Sequence, residues 1–231
     1  MRRRPILLLM TMAAALIMAS GVAWAATISC MPGATSCSGT KEDDLILGTS
    51  GVDKILPREG DDEIRASGGN DIVRTQSDDS GSNTVYAGSG DDAVNGKIGN
   101  DYMYGQSGED EMTGQSGNDR LYGGDGNDLL GGGGFIDYIY GEAGDDGVVG
   151  GYGNDYVVGG SGRDAVFGNY GDDRLIGESG VDRLYAHDGD DRIWARDGSV
   201  DDIICGPGND RVYSADITDS VGADCEIVTR F

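Results

Sequence analysis

The chain has 231 residues, of which 42 are glycine, whereas only three are Phe, two are Trp and four are Pro. This is too little bulk for the core of an ordinary large globular domain, and glycine-rich chains without a sequence period are usually disordered. Acidic residues outnumber basic residues by 41 to 17, so the formal net charge is −24 at pH 7. Such a surface repels nucleic acids and anionic membranes, which argues against both as partners.

The first 25 residues have the pattern of a secretory signal peptide. Three arginines follow the first Met, residues 6–19 are apolar, and Ala23-Trp24-Ala25 is a small-x-small cleavage site. No other apolar run is long enough to span a bilayer as a helix. We therefore expect a secreted, extracellular protein that loses three positive charges with its leader.

A nine-residue repeat occupies residues 44–213. In residues 114–131, GQSGNDRLYGGDGNDLLG, Asp119 and Asp128 are nine positions apart. This slot recurs in 19 units, and 18 of them have Asp there, the exception being Asn83. The residue two positions later is apolar in all 19 units, and the residue two positions earlier is Gly in 16. So regular a period indicates a stacked repeat structure rather than disorder.

Each unit predicts a turn followed by a short strand. Its glycine-rich half favours a sharp turn, since glycine reaches positive φ without steric cost. The other half, such as Arg120-Leu121-Tyr122, alternates in polarity, which predicts a three-residue strand with its middle side chain inward. Two units make one coil of 18 residues, so about nine stacked coils predict two parallel sheets that face each other across a thin core.

The turns have the composition of a calcium site. Ca²⁺ takes about six to eight oxygen ligands, and each turn offers one Asp carboxylate and several backbone carbonyls. Stacked turns would lie about 4.7–4.9 Å apart, so that one ion bridges two of them. Without an ion, carboxylates at ~4.8 Å repel each other by roughly 3–4 kcal/mol at an effective dielectric near 20, which makes a calcium-free roll with merely solvated Asp the weaker alternative. The predicted ligands are Asp62, Asp71, Asp92, Asp101, Asp110, Asp119, Asp128, Asp146, Asp155, Asp164, Asp173, Asp182, Asp191 and Asp210.

Three turns depart from the pattern. Asn83 replaces Asp after a three-residue insertion near residues 77–80, Phe135 replaces a turn glycine, and Arg163 precedes Asp164. We expect a bulged coil at the insertion and a loop at Phe135 that does not close in the usual way. Calcium binding should be weak or absent at all three.

The repeat units resemble the hemolysin-type calcium-binding (RTX) repeat family. Residues 123–131, GGDGNDLLG, fit its unit G-G-x-G-x-D-x-U-x, where U is a large apolar residue. Residues 37–40 and 205–210 are similar to the end segments of small secreted bacterial members. The resemblance implies an all-β, right-handed parallel β-roll that holds multiple Ca²⁺ ions in its turns.

Four cysteines lie in two pairs near the ends of the mature chain. An oxidising exterior favours disulfides, and four cysteines allow three pairings. We favour the local pairing of Cys30 with Cys37 and of Cys205 with Cys225, because it closes each end of a stacked rod. The expected organisation is a signal peptide (1–25), an N-terminal cap (26–43), the repeats (44–213) and a C-terminal cap (214–231).

The sequence leaves no room for a catalytic domain. The two cap segments are too short to form one, and the only histidine, His187, occupies a turn-glycine slot rather than a place beside catalytic partners. We therefore predict that the protein is not an enzyme.

The alternative function is adhesion or a structural role through one outer sheet face. Tyrosine suits strands and forms ladders with itself, which is the simpler explanation of the pattern. The functional explanation is an aromatic and arginine face for a glycan or protein partner. The outward slots read Tyr86, Tyr104, Tyr122, Tyr140, Val158, Ile176 and Trp194 in one column, and Thr84, Tyr102, Arg120, Tyr138, Tyr156, Arg174 and Arg192 in the other.

Overall fold

A computed structural model describes residues 26–33, 36–75, 80–216 and 218–230. The predicted signal peptide lies outside the described residues. Every regular element of the described chain is a β-strand, and the 23 strands form two parallel sheets. None of the described residues forms a helix that could cross a membrane.

The odd-numbered strands form the first sheet, with 12 strands, and the even-numbered strands form the second, with 11. The first sheet contains β1 Ala26–Ser29, β3 Asp44–Leu47, β5 Glu63–Arg65, β7 Thr84–Ser89, β9 Tyr102–Ser107, β11 Arg120–Asp125, β13 Tyr138–Ala143, β15 Tyr156–Gly162, β17 Arg174–Gly180, β19 Arg192–Trp194, β21 Arg211–Ala215 and β23 Ile227–Arg230. The second contains β2 Cys37–Ser38, β4 Lys54–Leu56, β6 Ile72–Arg74, β8 Ala93–Ile98, β10 Glu111–Ser116, β12 Leu129–Gly134, β14 Gly147–Tyr152, β16 Ala165–Tyr170, β18 Arg183–Asp188, β20 Asp202–Ile204 and β22 Ser220–Val221.

The chain passes from one sheet to the other at every turn, so each strand pairs with the strand one coil away. Leu121 pairs with Met103 on one side and with Ile139 on the other, which gives the 18-residue register of the repeat. The predicted all-β parallel roll is confirmed. It has about 11 coils rather than nine, because β1, β2, β22 and β23 continue both sheets into the segments expected to be caps.

Strands in the middle of the roll are twice as long as expected. In β11, residues 120–122 pair with residues 102–104, Gly123 is skipped, and pairing resumes between Gly124 and Gln106. Gly124 has a φ of +114°, so the strand bends there and continues into the turn. The alternation of polar and apolar residues did not predict this second half of the strand, because glycine has no side chain that could show it.

The core is a single line of apolar side chains on each sheet. Every apolar slot of the repeat is buried, as Leu121 at 0 % and Leu130 at 2 % exposure illustrate. Each coil therefore contributes two medium-sized side chains, which is a small hydrophobic contribution against the cost of ordering about 18 residues. The roll needs a further source of stability.

Irregular segments leave the stacking intact. The spacing across the insertion is 21 residues, with Ile64 paired to Val85 and Val73 paired to Val94. The expected bulge falls on residues 76–79, outside the described residues. Both local disulfides are present, and each joins Cα atoms 5.3 Å apart at one end of the core, which confirms the predicted pairing.

Candidate calcium sites

The Asp residues of the repeat form two columns along the two edges of the roll. From Asp62 onward, each Asp of the columns accepts a hydrogen bond through Oδ1 from the backbone N–H of the residue in the same slot one coil earlier, which is an Asp except at Asn83. Asp101 N–H donates to Asp119 Oδ1 at 2.8 Å, and Asp119 N–H donates to Asp137 Oδ1 at 2.8 Å. On the other edge Asp110 N–H donates to Asp128 Oδ1, also at 2.8 Å. These bonds fix every carboxylate in the same orientation.

The second carboxylate oxygen, Oδ2, points into the roll. A buried acceptor without a donor is costly, and for an ionised carboxylate the cost is larger still. A cation is the partner that this oxygen lacks. Buried Oδ2 atoms without a hydrogen-bond partner in the described structure belong to Asp71, Asp92, Asp110, Asp119, Asp128, Asp137, Asp146, Asp155, Asp164, Asp173, Asp182, Asp191, Asp201 and Asp210.

In the units of Asp101 to Asp182 the first residue is a glycine, which leaves room beside Oδ2, whereas alanine stands in this position before Asp71, Asp92 and Asp191. A Cβ atom on Gly114 would lie 2.0 Å from Asp119 Oδ2. A Cβ atom on Gly105 would lie 2.3 Å from Asp110 Oδ2 and 2.5 Å from the carbonyl oxygen of Gly123. A carboxylate oxygen and a carbonyl oxygen thus face the same space, and these are the ligand types that Ca²⁺ prefers. The residues present fit a calcium ion.

Side chains alone do not make up the ligand shell. The described residues contain no group of three or more His, Cys, Asp or Glu side chains that could hold a metal ion. Backbone carbonyls must therefore supply a large part of the shell, as the glycine-rich turns predict. An all-oxygen shell of this kind suits a hard cation and not zinc, which favours nitrogen and sulfur.

Burial raises the pKa of the column carboxyls. Desolvation raises the pKa of Asp119 to about 6. It raises the pKa of Asp173 to about 8, with a further increase from the neighbouring charges of Asp155 and Asp191, although the hydrogen bond from Asp155 N–H opposes the shift. Without a cation these carboxyls take up protons between about pH 8 and pH 6, so cation and proton compete for the same oxygens.

All predicted ligands lie buried in the two columns. The structure adds Asp137 and Asp201, whose Oδ2 atoms have the same environment. Neither residue is among the ligands that the sequence analysis predicts; Phe135 replaces the turn glycine before Asp137. The expectation that the Phe135 loop does not close is wrong: Phe135 adopts the glycine-like φ of +82° and the column passes through Asp137 unbroken. Asp137 lies on the nine-residue period, whereas Asp201 follows one extra residue and lies ten positions after Asp191.

In the first two turns a threonine donates to Oδ2, although Asp44 Oδ1 stays buried without a hydrogen-bond partner. Thr49 N–H and Thr49 Oγ1 donate to Asp53 Oδ2 at 2.6 and 2.9 Å. Thr40 makes the same pair of bonds to Asp44 Oδ2, at 2.5 and 3.0 Å. At this end of the roll a threonine therefore donates to the carboxylate oxygen that lacks a donor in the later turns.

Asn83 and Arg163 keep the stacking while changing the charge. Asp62 N–H donates to Asn83 Oδ1 at 3.1 Å, so the amide continues the column without a negative charge. Arg163 N–H donates to Asp145 Oδ1 at 2.9 Å, and the adjacent Asp164 remains buried. Weak calcium binding at these turns stays a prediction.

The outward tyrosines of the first sheet stack on one another. Tyr86, Tyr104, Tyr122 and Tyr140 form a ladder with ring centroids 5.0 Å apart and planes within 9° of parallel. Arg120 lies 5.1 Å from the ring centroid of Tyr102 on one side and of Tyr138 on the other. The ring faces of the ladder are thus covered by neighbouring rings, which leaves ring edges and hydroxyl groups outward.

The comparison with protein families agrees with the geometry of the columns. The RTX calcium-binding nonapeptide repeat (4 copies) matches residues 38–73, 77–103, 95–130, 104–139, 131–166 and 167–199. These matches span most of the chain, so the protein belongs to this family and its repeats bind several calcium ions. The family's role is structural calcium binding rather than catalysis. A comparison of the whole chain with curated proteins finds no match.

Proposed function

We propose that this protein is exported and acts outside the cell as a calcium-binding repeat protein that acquires its β-roll on binding the ions. The observation that carries the proposal is the series of buried Oδ2 atoms facing glycine-lined spaces along both edges. The leader-like residues 1–25 support export, and both RTX repeats and disulfides are typical of extracellular proteins. The structural calcium binding of the repeat family supports a role without enzymatic activity.

Calcium and folding are coupled because the columns oppose folding when they are empty. The core contributes only two side chains per coil, and each buried carboxylate repels its neighbours in the column. An ion that binds only the folded turns stabilises them by mass action, and the effect multiplies over many sites. We assign as ligands the 14 Asp residues that the sequence predicts, together with Asp137 and Asp201, with glycine carbonyls completing the shells.

Isothermal titration calorimetry of the chelator-treated mature protein tests this function. We expect several Ca²⁺ ions per chain, a midpoint near 10⁻⁴–10⁻³ M as in other extracellular calcium modules, and little response to Mg²⁺, which dehydrates reluctantly. An equal response to both ions would contradict the proposed shell of carbonyls and carboxylates.

A second candidate function is adhesion through the outer face of the first sheet. The observation that favours it is the concentration of aromatic and arginine side chains on this one face, with Arg120 held between Tyr102 and Tyr138. Aromatic and arginine residues are enriched at the centres of binding surfaces. Loss of binding to immobilised glycans or to cell walls on replacing Tyr104, Tyr122 and Tyr138 with Ser would support it.

A further inference from the structure

Three arginines occupy one outward slot on adjacent strands at the C-terminal end of the first sheet. Arg174 on β17 pairs with Arg192 on β19, which in turn pairs with Arg211 on β21. The neighbouring outward slot of the same strands holds three large side chains, which line the arginine column along its length. We call these six residues the arginine strip: Arg174, Arg192, Arg211, Ile176, Trp194 and Tyr213.

The arginines of the strip have no ion-pair partner among the described residues, although Asp190 acts electrostatically on Arg211. The described part of the chain records ion pairs between Lys41 and Glu59 and between Arg65 and Glu63, and none that involves the strip. Arg174 and Arg211 are exposed and Arg192 is half-buried. Like charges directly opposite each other destabilise a sheet. Three arginines in a row, on a chain with 41 acidic residues, therefore favour the binding of an external anion.

The strip already shows how it would hold an oxygen ligand. Arg211, and to a smaller extent Arg192, lower the pKa of the Tyr213 phenol, so both guanidinium groups lie close to its oxygen. Two guanidinium groups from adjacent strands thus converge on one oxygen atom. A carboxylate offers two such oxygens in the planar arrangement that a guanidinium binds through two parallel hydrogen bonds.

The rest of this face is less suited to a charged ligand. The tyrosine ladder from Tyr86 to Tyr140 covers its own ring faces, and Arg120 is engaged with two tyrosines. Trp194 and Tyr213 stack at 5.2 Å and present their edges, with the indole N–H and the phenol as polar groups for sugar hydroxyls. The unsatisfied charge lies on the strip alone.

We propose that the arginine strip binds an acidic polysaccharide, with carboxylates along the glycan pairing with the three guanidinium groups. This inference rests on the second candidate function and names its ligand. Strand spacing places the arginines about 4.7–4.9 Å apart. Nucleic acid carries phosphates more densely, about one per 1.7 Å in a duplex, and the acidic turns on both sides of the strip repel so dense a charge.

Calcium should be required for glycan binding. Asp173, Asp191 and Asp210 each precede an arginine of the strip directly in sequence, so one Asp column runs beside it. Bound Ca²⁺ neutralises this column and removes a negative potential from behind the strip. Because the strip also exists only in the folded roll, the calcium-loaded chain should bind the glycan at least tenfold more tightly than the chain in chelator.

The test is calorimetry of the calcium-loaded mature protein with a hexamer of galacturonic acid, which is too short to gel with calcium. Its methyl ester is the neutral control, and a single-stranded DNA hexamer supplies phosphates instead. The strip variant carries Arg174→Gln, Arg192→Gln and Arg211→Gln. The control variant carries Lys54→Gln, Arg74→Gln and Arg183→Gln, which remove the same charge from the outer face of the second sheet. Circular dichroism in calcium establishes that both variants fold.

We expect the wild type to bind the acid and not the ester, the strip variant to lose at least tenfold in affinity, and the control variant to stay within twofold. Equal affinities of the two folded variants, or equal binding of the ester, would overturn the proposal, as would DNA binding as tight as that of the acid. A variant with Tyr104→Ser, Tyr122→Ser and Tyr138→Ser tests the tyrosine surface separately. If this variant loses affinity and the strip variant keeps it, the strip is not the binding site, but adhesion through the tyrosine surface remains supported. If neither variant loses affinity, both the arginine strip and the tyrosine surface are excluded as the binding site.

Discussion

Asp119 Oδ2 occupies the space into which any side chain on Gly114 would project, since a Cβ atom there would lie 2.0 Å from this oxygen. Gly114 therefore keeps the calcium-facing side of the carboxylate open. Replacing Gly114 with Ala should raise the calcium midpoint about tenfold and lower the number of bound ions, because the methyl group takes the place of the ion. Calorimetry of the chelator-treated variant measures both quantities.

Gly131 is the matched control for this change. It lies in β12, the strand that pairs with the strand of Gly114, and a Cβ atom on it would find its nearest neighbour at 3.9 Å, Thr113 Oγ1. Gly131→Ala should leave the calcium midpoint and the ion count unchanged. Equal effects of the two substitutions would mean that Gly114 serves strand packing and not the ion.

The charge of the column can be separated from its hydrogen bonds by two substitutions. Asp119 accepts from Asp101 N–H, and Asn83 accepts from Asp62 N–H, so Asp119→Ala and Asn83→Ala each remove one bond of the same kind. Only Asp119→Ala also removes a carboxylate. We expect it to raise the calcium midpoint several-fold, and Asn83→Ala to change it much less, in titrations followed by circular dichroism. Similar shifts would show that the column acts through its hydrogen bonds alone.

The pH dependence should have opposite signs with and without calcium. Burial raises the pKa of Asp119 from 3.8 to about 6 and that of Asp137 to about 8. A carboxyl with a raised folded-state pKa binds its proton more tightly in the fold, so this contribution to stability is fully present below about pH 3.8 and is lost as the pH rises through 6–8. In chelator, β-structure should decline over this range, whereas calcium affinity should increase because protons leave the ligands.

Circular dichroism and calcium titrations between pH 5 and pH 8 measure the two trends. A chain whose β-structure in chelator increases over this range would show that the columns are not the groups that oppose folding.

The C-terminal disulfide should contribute measurably to the stability of the loaded roll. Cys205 and Cys225 are 20 residues apart, and closing a loop of this length contributes about 3 kcal/mol on the chain-entropy estimate. The shorter separation of 7 residues between Cys30 and Cys37 predicts a smaller loss, about 2 kcal/mol. Denaturant unfolding of the two Cys→Ser double variants in saturating calcium compares them, and a larger loss at the N-terminal pair would contradict the estimate.

The repeat could be predicted from the sequence because the Asp slot and the apolar slot each carry a side-chain signal every nine residues. Asp119 and Leu121 were placed correctly for this reason, one in a column and one in the core. The coil count was low because the N-terminal coil has no such signal, and because Asp219 and Val221, which continue the nine-residue period from Asp210, were not counted as a unit. Ala26 pairs with Asp44 through the backbone, and the longer Glu226 accepts from Asp210 N–H at 2.5 Å where the repeat would place an Asp.

Local contacts in the folded chain account for the other features of the structure that the sequence did not predict. Thr49 satisfies Asp53 through two donors, a contact that only the folded turn brings together. Phe135 takes a backbone conformation that its residue type disfavours, because the columns on both sides hold the turn in place. Neither effect is visible in a pattern of residue types.

The central claim, that calcium binding and folding are one event, is tested most directly by far-UV circular dichroism of the mature protein during a calcium titration from excess chelator. The account predicts a largely disordered chain in chelator and a cooperative gain of β-structure with a midpoint near 10⁻⁴–10⁻³ M Ca²⁺. A chain that keeps its full β signal in excess chelator and shows no calorimetric response to added calcium would contradict it.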